Sequence, residues 1–309
     1  MAELGSIRVR LGEGGASGPA SDMSLWLTLG VNSIALGGLL FLLSAGFSLI
    51  FGLMRIPNLM HGSFFMLGAY FGVSLLDKTG MNFWLAALIS AAGMAVIGGL
   101  IERLLLRRLA GQELAQVLLT LGLSFIVADI CLMVWTGDPW QPATPAHLRG
   151  AVKVAGLFFP LYRVAIVLVA VAIAGALWVM IDWTRLGAMI RAGVDDAPIA
   201  RVVGIKVSQL FTLVFALGAA LAAFGGVVGA PYLSVYPGLD AEMLPLALIV
   251  VILGGAGSLL GALVGSFVIG FLYNFGQAMF PDLAYVILFL PMLLVLVLRP
   301  QGLFGRIVS

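Results

Sequence analysis

Charged residues are scarce in this chain: they make up only 10% of its 309 residues, whereas 62% are hydrophobic. Soluble domains carry about 25% charged and about 45–50% apolar residues. The shortage of charge therefore excludes a water-soluble protein. The net charge is only +2 and the basic residues are scattered over several loops, so nothing indicates nucleic-acid binding.

Cysteine, lysine and histidine are also scarce, and each shortage excludes a class of site. The single cysteine, Cys131, lies in an apolar run, which excludes a disulfide framework and a cysteine zinc site. None of the three lysines follows a glycine, so the phosphate loop G-x-x-x-x-G-K-[ST] of an ATPase is absent. His61 and His147 match no metal-binding spacing, and no Ser/His/Asp set stands in the apolar runs. We therefore do not expect an enzyme.

Long apolar runs are abundant, and a membrane-spanning helix needs about 20 such residues. The sequence predicts an all-α, polytopic integral membrane protein with about eight to ten transmembrane helices. The eight main candidates are residues 25–54, 59–76, 83–100, 115–135, 157–181, 210–230, 244–273 and 283–298. The seventh is interrupted by glycines at residues 254–258, which predicts two segments around a tight turn.

The remaining organisation is simple. Residues 1–23 are rich in glycine, serine and alanine and are predicted to be a disordered tail. The apolar run that follows is longer than the core of a secretory signal and no A-x-A site follows it, so we expect a retained span. Residues 24–306 are predicted to form one transmembrane domain.

Three regions are enriched in basic residues: residues 102–113, a charged loop at residues 182–209, and the C-terminal residues 299–306. Because basic loops stay on the cytoplasmic side, we expect all three there. An even number of crossings must then separate the charged loop from the C-terminal residues, which requires the seventh candidate to be divided. The glycine turn at residues 254–258 is therefore predicted to face the cytoplasm.

The charged loop holds seven of the thirty formal charges. Asp195 and Asp196 precede Pro198, which suits the first turn of a short helix. Gly204 is expected to end that helix.

One edge of this predicted helix is apolar, with Ile199, Val202 and Val203 beside Arg201. An amphipathic helix of this kind can lie on the lipid surface. The alternative is that it fits a groove on a cytoplasmic partner.

Residues 55–63 place Asn58 and His61 beside proline and glycine within an apolar region. A helix broken here would free backbone groups to line a cavity, which would put both side chains near a path through the membrane. The alternative is that they form hydrogen bonds between helices.

Thr120 and Ser124 are four residues apart, on one face of a predicted helix, with Gly122 between them. Small polar faces of this kind occur in helix packing, and they also contact transported substrates. Both interpretations stay open.

Asp129 is the one acidic residue that lies well inside a candidate span. It stands six residues before Trp135, about 9 Å from that end at helical rise. It is either a coupling-ion or proton site, or a carboxylate near the outer interface.

The late glycines have a packing pattern. The glycines and the serine of the turn and of the residues that follow it are Gly254, Gly255, Gly257, Ser258 and Gly261. Gly257, Gly261 and Gly265 recur every four residues, which predicts a smooth ridge for a neighbouring helix.

Taken in order, these patterns resemble a known family. They are Asn-x-x-His-Gly at 58–62, T-x-G-x-S at 120–124, RAGVDDAPIARVVGI at 191–205, GGAGSLLG at 254–261 and RPQGLFG at 299–305. They resemble the LivH-type permease subunits of bacterial branched-chain amino-acid ABC importers, over residues 24–306.

The resemblance implies a multi-pass subunit of the bacterial cytoplasmic (inner) membrane, paired with a second, homologous permease. ATP and Mg would be bound by two cytoplasmic ATPase subunits, so this chain would bind no cofactor, and a periplasmic binding protein would deliver the substrate. The charged loop would act as the coupling helix that contacts the ATPases. Its implied contact residues are Arg191, Asp195, Asp196, Pro198, Ile199, Ala200, Arg201, Val203 and Gly204.

The implied mechanism is alternating access to a path near Asn58, His61, Thr120 and Ser124, for a branched-chain or related amino acid or a similar small polar solute. A bulky charged residue in place of Ala200 or Val203 is expected to uncouple transport while membrane insertion is preserved. The alternative is a stand-alone ion-coupled carrier or channel, for which Asp129 and His61 would be the important residues.

Overall fold

The computed structural model describes residues 19–54, 57–154 and 157–305. Residues 1–18 of the predicted tail, Arg55 of the predicted broken helix and Arg306 of the C-terminal region lie outside the described residues. Residues 19–23 belong to the first helix.

Within the described ranges the chain forms eleven α-helices and one two-stranded hairpin, which confirms the predicted all-α class. The helices are α1 Pro19–Met54, α2 His61–Thr79, α3 Phe83–Leu104, α4 Glu113–Trp135, α5 Leu161–Trp183, α6 Arg185–Asp195, α7 Ala197–Val202, α8 Val207–Leu233, α9 Leu239–Gly254, α10 Leu259–Met279 and α11 Ala284–Leu298. The antiparallel hairpin pairs β1 Ala151–Val154 with β2 Leu157–Pro160. Short 3-10 helices occur at Leu106–Leu109, Ala146–Leu148 and Pro281–Leu283.

Seven segments of the described chain are long and apolar enough to cross a membrane. They are Leu25–Met54, Phe83–Leu109, Glu113–Trp135, Leu161–Trp183, Val207–Leu233, Leu259–Met279 and Pro281–Leu298. Together with the buried helices α2 and α9, they are compatible with the predicted eight to ten transmembrane helices.

Two predicted span boundaries differ from the observed helices. The candidate at 157–181 begins too early, because Leu157–Pro160 pair with β1 and α5 starts only at Leu161. The candidate at 244–273 begins too late, because α9 starts at Leu239, directly after Gly238 in a left-handed conformation.

The predicted division of the seventh candidate is confirmed. α9 ends at Gly254 and α10 begins at Leu259. The turn uses positive φ angles of 100° at Gly255 and 75° at Gly257, which favour glycine. Ser258 then caps α10, since its hydroxyl oxygen accepts the amide of Gly261 at 3.0 Å.

The bundle is built around α1 and α8. α8 packs against α1, α2 and α3, and α1 packs in addition against α10. The two central helices approach closely: a Cβ atom on Gly46 would lie 2.7 Å from the carbonyl oxygen of Gly218. Small residues permit this distance, and in a membrane such close packing holds helices together because lipid is as apolar as the side chains.

The three basic regions meet on one side of the bundle. Arg107, after α3, donates to the carbonyl oxygen of Ser208, at the end of the charged loop, at 2.9 Å. The C-terminal segment joins the glycine turn region, because the amide of Leu303 donates to the oxygen of Leu253 at 2.9 Å. Gly257 of that turn contacts Gly52 near the end of α1. We call this side the charged-loop side.

Candidate functional site

α2 begins deep inside the bundle. His61, its first residue, lies with Nε2 2.9 Å from the carbonyl oxygen of Leu43 in α1. Leu43 stands eleven residues before Met54, the end of α1 on the charged-loop side, which corresponds to about 16 Å at helical rise. Because the hydrocarbon core is about 30 Å thick, His61 lies near its middle. The predicted break between the first two helices is therefore present, and Asn58 and His61 are buried beside it.

α9 begins at the same place. Its 16 residues extend about 24 Å, and it ends on the charged-loop side. In its first turn, Asp240 accepts a hydrogen bond from the hydroxyl of Ser63 at 3.0 Å. Gly62 makes room for this contact, since a Cβ there would lie 2.7 Å from the carbonyl oxygen of Asp240. The N-termini of α2 and α9 thus meet inside the bundle.

Thr120 joins α4 to the segment that precedes α2. Its hydroxyl oxygen accepts the amide of Leu59 at 3.2 Å and donates to the carbonyl of Val117 at 2.9 Å. In the same segment, Asn58 Oδ1 accepts the amide of Met60 at 3.1 Å. These bonds satisfy part of the backbone that the helix break frees.

We refer to five residues as the helix junction: Asn58, His61, Ser63, Thr120 and Asp240. None of them is more than 9% exposed, so the junction is closed to solvent in this conformation. Among the described residues, Asn58 Nδ2 and His61 Nδ1 find no hydrogen-bond partner. Each such buried group costs about 1–3 kcal/mol. The junction therefore holds unused hydrogen-bonding capacity at mid-membrane.

The predicted path residues separate into two groups. Asn58, His61 and Thr120 come together at the junction, as described above. Ser124 does not join them, because its hydroxyl donates to Leu121 of its own helix at 2.7 Å. Asp129 lies on the exposed side of α4, away from the junction.

Sequence reasoning missed Asp240 and its partner Ser63. The seventh candidate span begins only at residue 244, so Asp240 stands outside every candidate span. A signal was nevertheless present: Gly238 followed by Asp240 and Glu242 is typical of a helix start, where acids favour the first turn.

The charged loop forms two helices fixed at their starts. Thr184 caps α6, because its hydroxyl oxygen accepts the amide of Gly187 at 3.2 Å. Asp196 caps α7 by accepting the amide of Ile199 at 2.9 Å. Gly204, at φ +90°, follows the end of α7, as predicted. Arg191 ties α6 back to α5 through the carbonyl of Ile181 and through Asp182 at 3.5 Å.

The apolar edge of α7 points away from the bundle. Ile199, Val202 and Val203 are 61%, 87% and 70% exposed, whereas Ala200 is 2% exposed and faces inward. The other expected contact residues of this region are exposed as well: Asp195, Asp196, Pro198, Arg201 and Gly204. The loop therefore has an exposed apolar surface with charged residues at its edge, and Ala200 packs on the opposite side of α7, toward the bundle.

α6 rests on the ends of two long helices. A Cβ on Gly193 would lie 3.1 Å from Leu53 Cδ1 in α1 and 3.2 Å from Leu210 Cδ2 in α8. α6 therefore packs directly against the ends of α1 and α8, the two central helices.

A polar brace links α3 to α8 on the same side. Glu102 is buried and pairs with Arg107 at 3.1 Å. Thr212 of α8 donates to Glu102 Oε2 at 2.6 Å and also contacts Arg107. The brace holds the loop after α3 against the start of α8.

The glycine ridge is divided between two neighbours. Gly261 packs against Gly254 of α9, and Gly265 lies near the carbonyl of Val250 in the same helix. Gly257 instead contacts Gly52 of α1. Two of the three ridge glycines, Gly261 and Gly265, therefore lie against α9, and Gly257, which stands in the turn, lies against α1.

Comparison with known proteins gives matches along almost the whole chain. The family described as "Branched-chain amino acid transport system / permease component" matches residues 30–296. The high-affinity branched-chain amino acid transport system permease protein BraD of Pseudomonas aeruginosa is 28% identical over 292 residues, covering 89% of this chain and 94% of that protein.

Two further relatives are similar to this chain. The permease protein LivH of the corresponding Escherichia coli system is 27% identical over 293 residues, with the same coverage of 89% and 94%. The autoinducer 2 import system permease protein LsrC of Escherichia coli is 28% identical over 223 residues, covering 67% of this chain and 64% of that protein. No solved structure gives a significant match.

Proposed function

This chain belongs to the family of permease components of branched-chain amino-acid transport systems, and we propose that it supplies one half of the membrane path of an ABC importer in the bacterial inner membrane. The observation that carries the proposal is the family match over residues 30–296, which includes both the helix junction and the charged loop. The exposed apolar edge of α7 gives such a subunit a surface for its energy source.

Energy comes from other subunits in this proposal. No lysine of the chain stands in a phosphate loop, so ATP and Mg are bound by two separate cytoplasmic ATPase subunits. A second, homologous permease completes the path, and a periplasmic binding protein delivers the substrate. The charged-loop side of the bundle is then the cytoplasmic side, in agreement with its basic residues.

The contact with the ATPase is made by α7. Val202 and Val203 enter an apolar groove of the partner, while Asp195, Asp196 and Arg201 fix the orientation at its rim. Burial of the two valines supplies affinity, and the charges supply specificity.

Motion of the charged loop reaches the helix junction through the central helices. When the ATPases close, α6 displaces the ends of α1 and α8, on which it rests. α1 holds His61 through Leu43, and α8 packs along α2. The junction is thereby opened to one side of the membrane, and Asn58 Nδ2 and His61 Nδ1 become available to a passing polar solute.

The substrate is a branched-chain or related amino acid. Two relatives that cover nearly the whole chain carry that substrate in their names. The path contributes few charges of its own, which suits a division of labour in which the binding protein selects the solute.

Co-purification tests the assembly. The chain is expressed with the products of its neighbouring genes, pulled down by an affinity tag and analysed by mass spectrometry. We expect two ATPases and a second permease to remain bound. Recovery of this chain alone would contradict the proposal.

Reconstitution tests the energy source. The purified complex in liposomes, supplied with its binding protein, is expected to accumulate radiolabelled leucine or isoleucine only when ATP is present. Uptake by this chain alone, driven by a sodium or proton gradient, would instead establish the ion-coupled carrier.

A further inference from the structure

α4 has one packed edge and one free face. The packed edge meets α2 and the loop after α3, and it consists of Gln116, Thr120, Ser124, Val127 and Cys131. The opposite side is exposed along its whole length, through Leu114, Leu118, Gly122, Phe125, Ile126, Asp129 and Met133. We call this second set the α4 free face.

Asp129 makes the α4 free face unsuitable for lipid. It lies six residues before Trp135, the end of the helix, which is about 9 Å from that end along the helix axis. Among the described residues it has neither a hydrogen-bond partner nor an ion-pair partner. A carboxylate facing hydrocarbon is costly, and charged residues inside spans almost always face protein or water.

Gly122 gives the same face a place for close approach. No atom of the described chain lies within 4 Å of a Cβ built on this glycine. Small residues at the centre of a transmembrane face allow the backbone of another helix to come near. The glycine and the carboxylate lie seven residues apart, two turns along the same side of α4.

α11 is also widely exposed, but its composition is different. The exposed side of α11 carries only apolar and aromatic side chains, among them Leu290, Leu294 and Val297. No charged residue interrupts Ala284–Leu298. That surface suits contact with lipid, whereas the α4 free face does not.

We infer that the α4 free face is the surface on which the second permease subunit packs, with Asp129 enclosed between the two subunits. The inference rests on the proposed function, since it assigns a surface to the second permease named there. A second permease can cover the face at the depth of the membrane, which a cytoplasmic ATPase cannot reach. Asp129 then contacts a polar group of the partner or the water-filled path between the subunits.

Site-directed photo-crosslinking tests the surface, because the single cysteine provides a clean background. In a Cys131→Ala chain, cysteines are introduced by Phe125→Cys and Met133→Cys on α4. The controls are Leu294→Cys and Val297→Cys on α11. The native Leu294 and Val297 side chains are 52% and 81% exposed. Each is labelled with benzophenone maleimide in membranes that contain the co-expressed subunits, irradiated, and analysed by mass spectrometry.

We expect adducts with the second permease from the two α4 positions and adducts with lipid alone from the two α11 positions. Permease adducts from α11, or equal yields from both helices, would overturn the inference although the proposed function stands. If no second permease is recovered with the chain in any variant, the proposed function itself fails.

A matched glycine pair supplies a second measurement. Gly122→Trp is expected to reduce the amount of second permease recovered with the chain at least tenfold. Gly175→Trp on α5, where a Cβ also meets open space, is expected to leave recovery unchanged. The inference is wrong if the two variants lose the partner equally or if only Gly175→Trp does.

Discussion

Ser63 and Asp240 are 177 residues apart in sequence, yet their side chains form a 3.0 Å hydrogen bond at the point where α2 and α9 both begin. The two helices run from this bond toward opposite sides of the membrane. The bond therefore joins the N-termini of two helices that extend in opposite directions. A movement of one helix relative to the other would strain or break it.

The Ser63–Asp240 bond contributes measurably to stability. Ser63→Ala removes the donor and leaves a buried carboxyl group with one partner fewer, so we expect the free energy of unfolding to fall by about 1–3 kcal/mol. Unfolding of the purified chain in detergent, followed by circular dichroism, measures the change.

A double-mutant cycle isolates the pair. Ser63→Ala, Asp240→Ala and the double variant are expected to show a coupling energy of about 1–2 kcal/mol. Thr79→Ala is the control, because its exposed hydroxyl bonds only to nearby backbone: it donates to the carbonyl of Leu75 and accepts the amide of Met81. Additive effects of Ser63→Ala and Asp240→Ala would show that the bond is not formed.

Thr120 and Ser124 have the same chemistry but different roles, so we expect different results from removing their hydroxyls. Thr120→Val deprives the amide of Leu59 of its acceptor and should destabilise the chain by about 1–2 kcal/mol, whereas Thr120→Ser should restore most of the loss. Ser124→Ala should change stability by less than about 0.5 kcal/mol, because it removes only a bond within its own helix.

The sequence predicted the fold class and several long-range features from local signals. The division at Gly254–Ser258 followed from the glycines in the turn and from the parity of the basic loops. In the structure these glycines form the turn, and the three basic regions lie on one side of the bundle. Gly204 and Asp196 were placed correctly because helix ends are set by the residues at the ends themselves.

The helix junction could be predicted only in part. The break near Asn58 and His61 is visible as polar residues beside proline and glycine, which are neighbours in sequence. Ser63 and Asp240 meet through tertiary packing, and no pattern within either segment specifies the other. The inward direction of Ala200 was likewise hidden, since several residues of α7 are apolar and only packing on the bundle determines which of them is buried.

Val203 and Ala200 are therefore expected to respond differently to the same charge. Val203→Glu places a carboxylate on the exposed apolar edge, so the chain should insert and fold normally while ATP-driven uptake falls at least tenfold. Ala200→Glu forces a carboxylate into a site that is 2% exposed, so the chain itself should become unstable, and the sequence-based expectation of simple uncoupling is corrected for this residue. Uptake and recovery of folded protein, measured side by side, separate the two effects. Normal uptake by the Val203→Glu complex would contradict a coupling role for α7.

Arg107 and Arg108 are adjacent, but only Arg107 belongs to the brace between α3 and α8. Arg107→Ala leaves the Glu102 carboxylate, whose side chain is 2% exposed, with Thr212 as its remaining polar contact among the described residues. We expect the free energy of unfolding to fall by about 1–3 kcal/mol. Glu102→Gln should cost less, because a neutral amide needs no cation. Arg108 is exposed, and Arg108→Ala should change stability by less than about 0.5 kcal/mol.

Because the brace joins the loop after α3 to the start of α8, its loss should also increase proteolysis at residues 105–112, which limited digestion measures directly. Equal stability of the two arginine variants would show that the brace does not hold these elements together.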